Sequence, residues 1–97
     1  MKPVYRVMLA ADYLDGRQRE LFYSENKERA ELKFRKACKT IDRIASDNTL
    51  RIHDIKHSDV WHTYVAADSD KVYAKAEFLI RYETPDDFLD FYNVPVF

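Results

Sequence analysis

Between Val4 and Tyr13 apolar side chains occupy both parities, with Tyr5, Val7, Leu9 and Ala11 on one and Val4, Met8 and Ala10 on the other. That pattern predicts a strand with apolar neighbours on both faces. Asp15-Gly16 follows, a dipeptide suited to the positive φ values of a tight hairpin. A two-residue loop there pairs Leu14 with Arg17, Asp12 with Arg19, Leu9 with Phe22 and Arg6 with Glu25. Two opposite-charge pairs from one register favour it.

Ser24 to Asn26 supplies capping side chains, and the spacing then predicts a helix to about Asp47. Ala30, Phe34, Ala37, Cys38, Ile41, Ile44 and Ala45 form its apolar stripe, at the spacing of one helical face. Three strands are expected next, Leu50–Ile55, Val60–Ala67 and Val72–Tyr82, with turns at Lys56-His57-Ser58-Asp59 and Asp68-Ser69-Asp70-Lys71. Thr84-Pro85-Asp86-Asp87 reads as a second helix start, with threonine as cap, proline in the first turn and acids at the positive end of the dipole; Asn93 and Pro95 end it.

The expected fold is therefore α+β, an antiparallel sheet packed on one long amphipathic helix. Its order is β-β-α-β-β-β-α, with a short C-terminal helix, in a single domain spanning residues 1–97. The portion after the hairpin, α-β-β-β-α, resembles a double-stranded-RNA-binding domain in element order. That family's glycine-rich and lysine-rich segments have no counterpart here, so the resemblance is one of topology and implies no membership.

A single glycine leaves no P-loop and no dinucleotide-binding turn, because both need several. A net charge of −1 argues against a general nucleic-acid coat protein. Cys38 is the one cysteine, so no internal disulfide forms. With no leader pattern at Met1-Lys2-Pro3 and no long apolar run, the expected setting is reducing and cytoplasmic, with no membrane span. Cys38 lies on the apolar stripe and reads as a small buried hydrophobe; a catalytic thiol needs a nearby histidine that the pattern does not place.

Two constellations carry candidate chemistry. If both later turns use two-residue loops, at His57-Ser58 and Ser69-Asp70, then His53 lies opposite His62 and His62 opposite Glu77. Arg51, Tyr64 and Lys75 form the next row on that face. Leu50, Ile52, Trp61, Val65, Phe78 and Ile80 fall on the other face, toward the helix. The plain reading of the row is a solvated sheet face with His62 bonded to Glu77. Two imidazoles titrating near neutrality beside Arg51 and Lys75 also outline a small metal-independent ribonuclease. A two-His, one-carboxylate metal site suits the residue types, but His53 and Glu77 are too far apart in that row, so no metal ligand is assigned. His53 and His57 cannot share an ion either, since four strand residues span about 13 Å.

The second constellation is the helix face opposite the stripe, where Arg29, Lys33, Lys36, Lys39 and Arg43 surround Leu32. Glu31–Arg35 is a well-oriented supporting pair, but the other cations have little local compensation. The chain carries a formal +4 through His57 and −5 beyond it, with Glu83, Asp86, Asp87 and Asp90 clustered near the end. Such asymmetry suits an acidic partner surface, phosphate groups, or head-to-tail self-association through the acidic end.

Phe88, Leu89, Phe91, Tyr92, Val94, Val96 and Phe97 add a further apolar segment, expected to fold over the sheet's second face; the alternative is an exposed patch that marks a partner or homodimer contact. A glycine-poor, tyrosine-rich domain of this size fits the inhibitor or adaptor proteins of phages and mobile elements. The expectation is a small non-enzymatic protein that docks on a larger macromolecule, through Arg29, Leu32, Lys36, Lys39 and Arg43, and modulates it. No cofactor is called for. The favoured partner is a protein with an acidic surface, nucleic acid being the other class; the alternatives are the ribonuclease built on His53, His62 and Glu77, and a weak nucleic-acid-binding module.

Overall fold

The computed structural model describes residues 3–13, 16–69 and 71–81. It is an α+β fold with a five-stranded antiparallel sheet and, among the described residues, one helix. In chain order the elements are β1 (Val4–Tyr13), β2 (Gly16–Ser24), α1 (Lys27–Asn48), β3 (Arg51–Ser58), β4 (Trp61–Asp68) and β5 (Lys71–Arg81). The strands lie side by side as β2-β1-β5-β4-β3. The second helix expected from Thr84, and the cover expected from the apolar tail, fall outside the described residues. No helix among them is long and apolar enough to cross a membrane.

Local chemistry sets the limits of α1. The Asn26 side-chain oxygen accepts from the Arg29 N–H at 3.1 Å, and the Ser24 hydroxyl accepts from the Asn26 N–H at 2.9 Å. Both bonds occupy donors that a helix start leaves orphaned. At the far end Thr49 adopts the left-handed conformation (φ 55°, ψ 48°), and its N–H and that of Leu50 turn back to the Ala45 carbonyl. A β-branched residue is a poor occupant of that conformation.

Because β2 and β3 are opposite edges, the helix between them has to cross the whole sheet. Its 22 residues give a rod about 33 Å long, and five strands span roughly 19 Å. The rod contacts all five. Beneath it the register aligns side chains in rows: Ala11, Ala74, Ala66, Ile52; then Leu9, Ala76, Tyr64, Asp54; then Val7, Phe78, His62, Lys56. Ala66, Ala74 and Ala76 are fully buried, in one cluster with Phe34, Ile41 and Ile44. Alanine at the sheet's centre leaves room for the larger helix side chains.

Three registers differ from the expectation. Tyr13 pairs with Gly16, and Leu9 faces Glu20 instead of Phe22. Arg6 faces Tyr23 and Asp12 faces Arg17, so the pairings with Glu25 and Arg19 do not form. This shift of two residues keeps each side chain on its expected face.

The turn between β3 and β4 is Asp59-Val60, with an irregularity between Lys56 and Ser58. It places His53 opposite Val65, an odd displacement that reverses the faces of β3 relative to β4. Between β4 and β5, Asp68 faces Lys71 as expected, but a bulge between Ala66 and Ala67 moves every later pair by one. Leu50, Ile52, Phe78 and Ile80 still pack on the helix-side core. Trp61 and Val65 pair with Leu79 and Lys75 instead, on the other face.

Two substitutions test this account. Thr49→Gly relieves the left-handed strain and raises stability by about 1 kcal/mol in urea titration. Ala76→Leu overfills the close helix–sheet contact and lowers it by about 1–3 kcal/mol.

Candidate partner-binding face and the sheet histidines

The outer side of α1 carries a run of exposed basic residues. Arg29, Leu32, Lys36, Lys39 and Arg43 are all exposed, Leu32 at 49%. Their exposure follows from helical period: the opposite side of the same turns buries Ala30, Phe34, Ala37, Ile41, Ile44 and Ala45. Among the described residues none of these four cations has a carboxylate within ion-pair distance. Glu31 pairs with Lys27 at 3.8 Å, not with Arg35 as its spacing had predicted.

The two flanks of the helix differ. On the side toward β4, Asp42 accepts a hydrogen bond from the Tyr64 hydroxyl at 2.5 Å, which raises the Tyr64 phenol to about 12. Cys38, on the same flank, is half-buried; burial, then the charges of Asp54 and Asp42, push its thiol up to about 12. Such a thiol carries almost no thiolate at neutral pH and is a poor nucleophile. Toward β2 the flank is basic, with Lys33, Lys36 and Thr40 beside a small cavity.

The row of His53, His62 and Glu77 does not form. His62 lies opposite Phe78 with its ring 5.0 Å from Phe34, and its Nε2 meets Asp54 Oδ1 at 2.5 Å. His53 lies opposite Val65, and Glu77 lies opposite Thr63 on the sheet face away from the helix. The odd β3–β4 displacement and the β4–β5 bulge together separate the three side chains. The ribonuclease reading loses its acid–base pair for that reason.

Glu77 instead centres a polar network that sequence reasoning missed. Its carboxylate is ion-paired with Arg6, accepts from Trp61 Nε1 at 3.0 Å and lies 3.2 Å from Lys75 Nζ. The Trp61 ring stacks on His57 at 3.7 Å, and His57 Nε2 lies 2.9 Å from the Thr63 hydroxyl. Arg6, Thr63 and Glu77 are buried. A signal for it existed: Arg6 and Glu77 are opposite charges inside otherwise apolar strands, and a charge is seldom buried without a partner.

Burial opposes ionisation of Glu77, but the Trp61 hydrogen bond and the charges of Arg6 and Lys75 outweigh it and hold its carboxyl below the ordinary 4.5. The unfolded chain therefore takes up the proton first. The contribution is full above about 4.5 and is lost as the pH falls through the folded-state value. Glu77→Ala should cost on the order of 3 kcal/mol at neutral pH, as breaking a buried pair does. It should also flatten the acid limb of a plot of unfolding free energy against pH; an unchanged limb would show that Glu77 is not the group responsible. No protein-family model matches this chain, and no curated protein and no solved structure matches it.

Proposed function

We propose that this chain is a non-enzymatic binding domain that docks on an acidic surface of a larger protein through the outer face of α1 and modulates that partner. The observation that carries the reading is the set of four exposed cations around exposed Leu32, none with an ion pair among the described residues. A face that only keeps a protein dissolved mixes its signs and gains nothing from an apolar residue at its centre. A cationic face with an apolar centre matches the usual division of labour at interfaces. The charges steer encounter and select the partner, while the desolvated centre slows dissociation.

The nearest alternative for such a face is a phosphate polymer, and salt dependence separates the two. Binding to nucleic acid weakens steeply with salt through counterion release, whereas a contact centred on Leu32 retains a salt-insensitive part.

The test compares the native chain with the triple variant Lys36→Glu, Lys39→Glu, Arg43→Glu as bait in host lysate treated with nuclease. A stoichiometric protein retained by the native chain and lost from the variant is expected. Purified, that protein should bind Leu32→Ala at least tenfold more weakly, mostly through faster dissociation. All three positions are exposed, so unfolding midpoints should move by no more than about 0.5 kcal/mol equivalent. Equal capture by native and triple-variant chains removes the reading.

A further inference from the structure

The basic side of α1 does not stop at the helix. Toward β2 it runs into a groove with a cavity of about 180 Å³. Val7, Leu9, Phe22 and Ala37 supply its apolar lining, and Lys33, Lys36 and Thr40 border it from the helix. The volume is well below the roughly 300–1,000 Å³ of small-molecule sites. It suits a single inserted side chain.

The other wall of the groove is β2, an edge strand of the described sheet. On such an edge every second residue directs its backbone N–H and C=O away from the sheet. An apolar cavity beside an open edge is the arrangement in which an extended peptide adds a strand and anchors one side chain.

Charge chooses the peptide and also chooses this edge. Lys33 and Lys36 have no carboxylate within ion-pair distance among the described residues. The Lys33 ammonium lies 5.8 Å from the Phe22 ring centre, over the apolar lining. Glu20 is the single acid on the lining, leaving the rim basic. The cavity on the opposite flank, against β3 and β4, is more nearly balanced: of its rim cations, Lys27 and Lys56 pair with Glu31 and Asp59, and Arg35 is left without an ion pair among the described residues.

We propose that an extended acidic segment of the partner adds along the outer edge of β2 in the described sheet and seats one apolar side chain in the cavity between β2 and α1. Strand alternation then defines the segment. Residues facing α1 recur at every second position, so the anchor is an aliphatic or aromatic residue with Asp or Glu two places before and after it, opposite Lys33 and Lys36. This proposal rests on the reading of α1 as the docking face and adds where the partner's chain is held.

The experiment is selection of random 12-residue displayed peptides on the immobilised full chain, followed by binding and hydrogen-exchange measurements with the synthesised winner. Expected are sequences with an apolar residue flanked by acids two positions away, and slowed exchange of alternate amides in β2 in the complex. Affinity should fall at least tenfold in Thr40→Trp, which plugs the cavity, and in Lys33→Glu, an exposed change with no cost to the core. Acidic winners that ignore Thr40→Trp and Lys33→Glu and leave β2 exchange unaltered, while still needing Lys36, Lys39 and Arg43, overturn the groove and leave the helix face standing. Absence of any acidic enrichment overturns both.

Discussion

Pairing of the first strand with the last decides the rest of this structure. Val4 to Ala11 of β1 lie antiparallel to Ala74 to Arg81 of β5, and this ladder joins a hairpin to a three-stranded meander. Once it forms, β2 and β3 are the edges, and the segment between them has no route except across the sheet. The helix is therefore long because the sheet is wide. Its apolar stripe meets three alanines at the sheet's centre, and its two flanks overhang different edges. The contact closes nearly the whole sequence into one loop, a costly event in chain entropy. Dense burial offsets it: Tyr5, Val7, Leu9 and Ala11 on β1 and Ala74 and Ala76 on β5 are in one cluster.

The same ladder gives the two sheet faces different physics. Toward the helix the rows are small and apolar, and their stabilisation comes from burial and close packing. Away from the helix, Val4 and Tyr23 form a second apolar cluster, and Glu77 collects Arg6, Lys75 and Trp61 around one carboxylate. A buried ionic group contributes less to stability than to uniqueness, because alternative registers strand its charges. Here a one-residue slip between β1 and β5 would part Arg6 from Glu77.

Partnered acids on one side and cations without ion pairs among the described residues on the other set the helix face apart. Buried Glu77 is engaged by Arg6, and exposed Asp42 and Asp54 by Tyr64 and His62. The cations on the outer side of α1 are left facing solvent. The proposed interface and the groove beside β2 are two parts of that one surplus of positive charge, the first exposed on the rod and the second in its overhang.

Among the described residues, sequence alone determined the elements and their approximate limits. A 3.6-residue period set the helix and its buried and basic faces, capping chemistry set its start, and alternation with turn residues set the strands. Those signals are local, and so the residues of the basic face were legible before any fold was known. Strand order and register were decided only in three dimensions. Loop length at Asp59-Val60 and the bulge at Ala66 rest on how whole strands pack, and single residues of these types mark neither. Since a strand's side chains alternate, an odd displacement moves a residue to the opposite face. That reversal removed the expected row of His53, His62 and Glu77, while the β1–β5 ladder joined Glu77 to Arg6, 71 residues away along the chain.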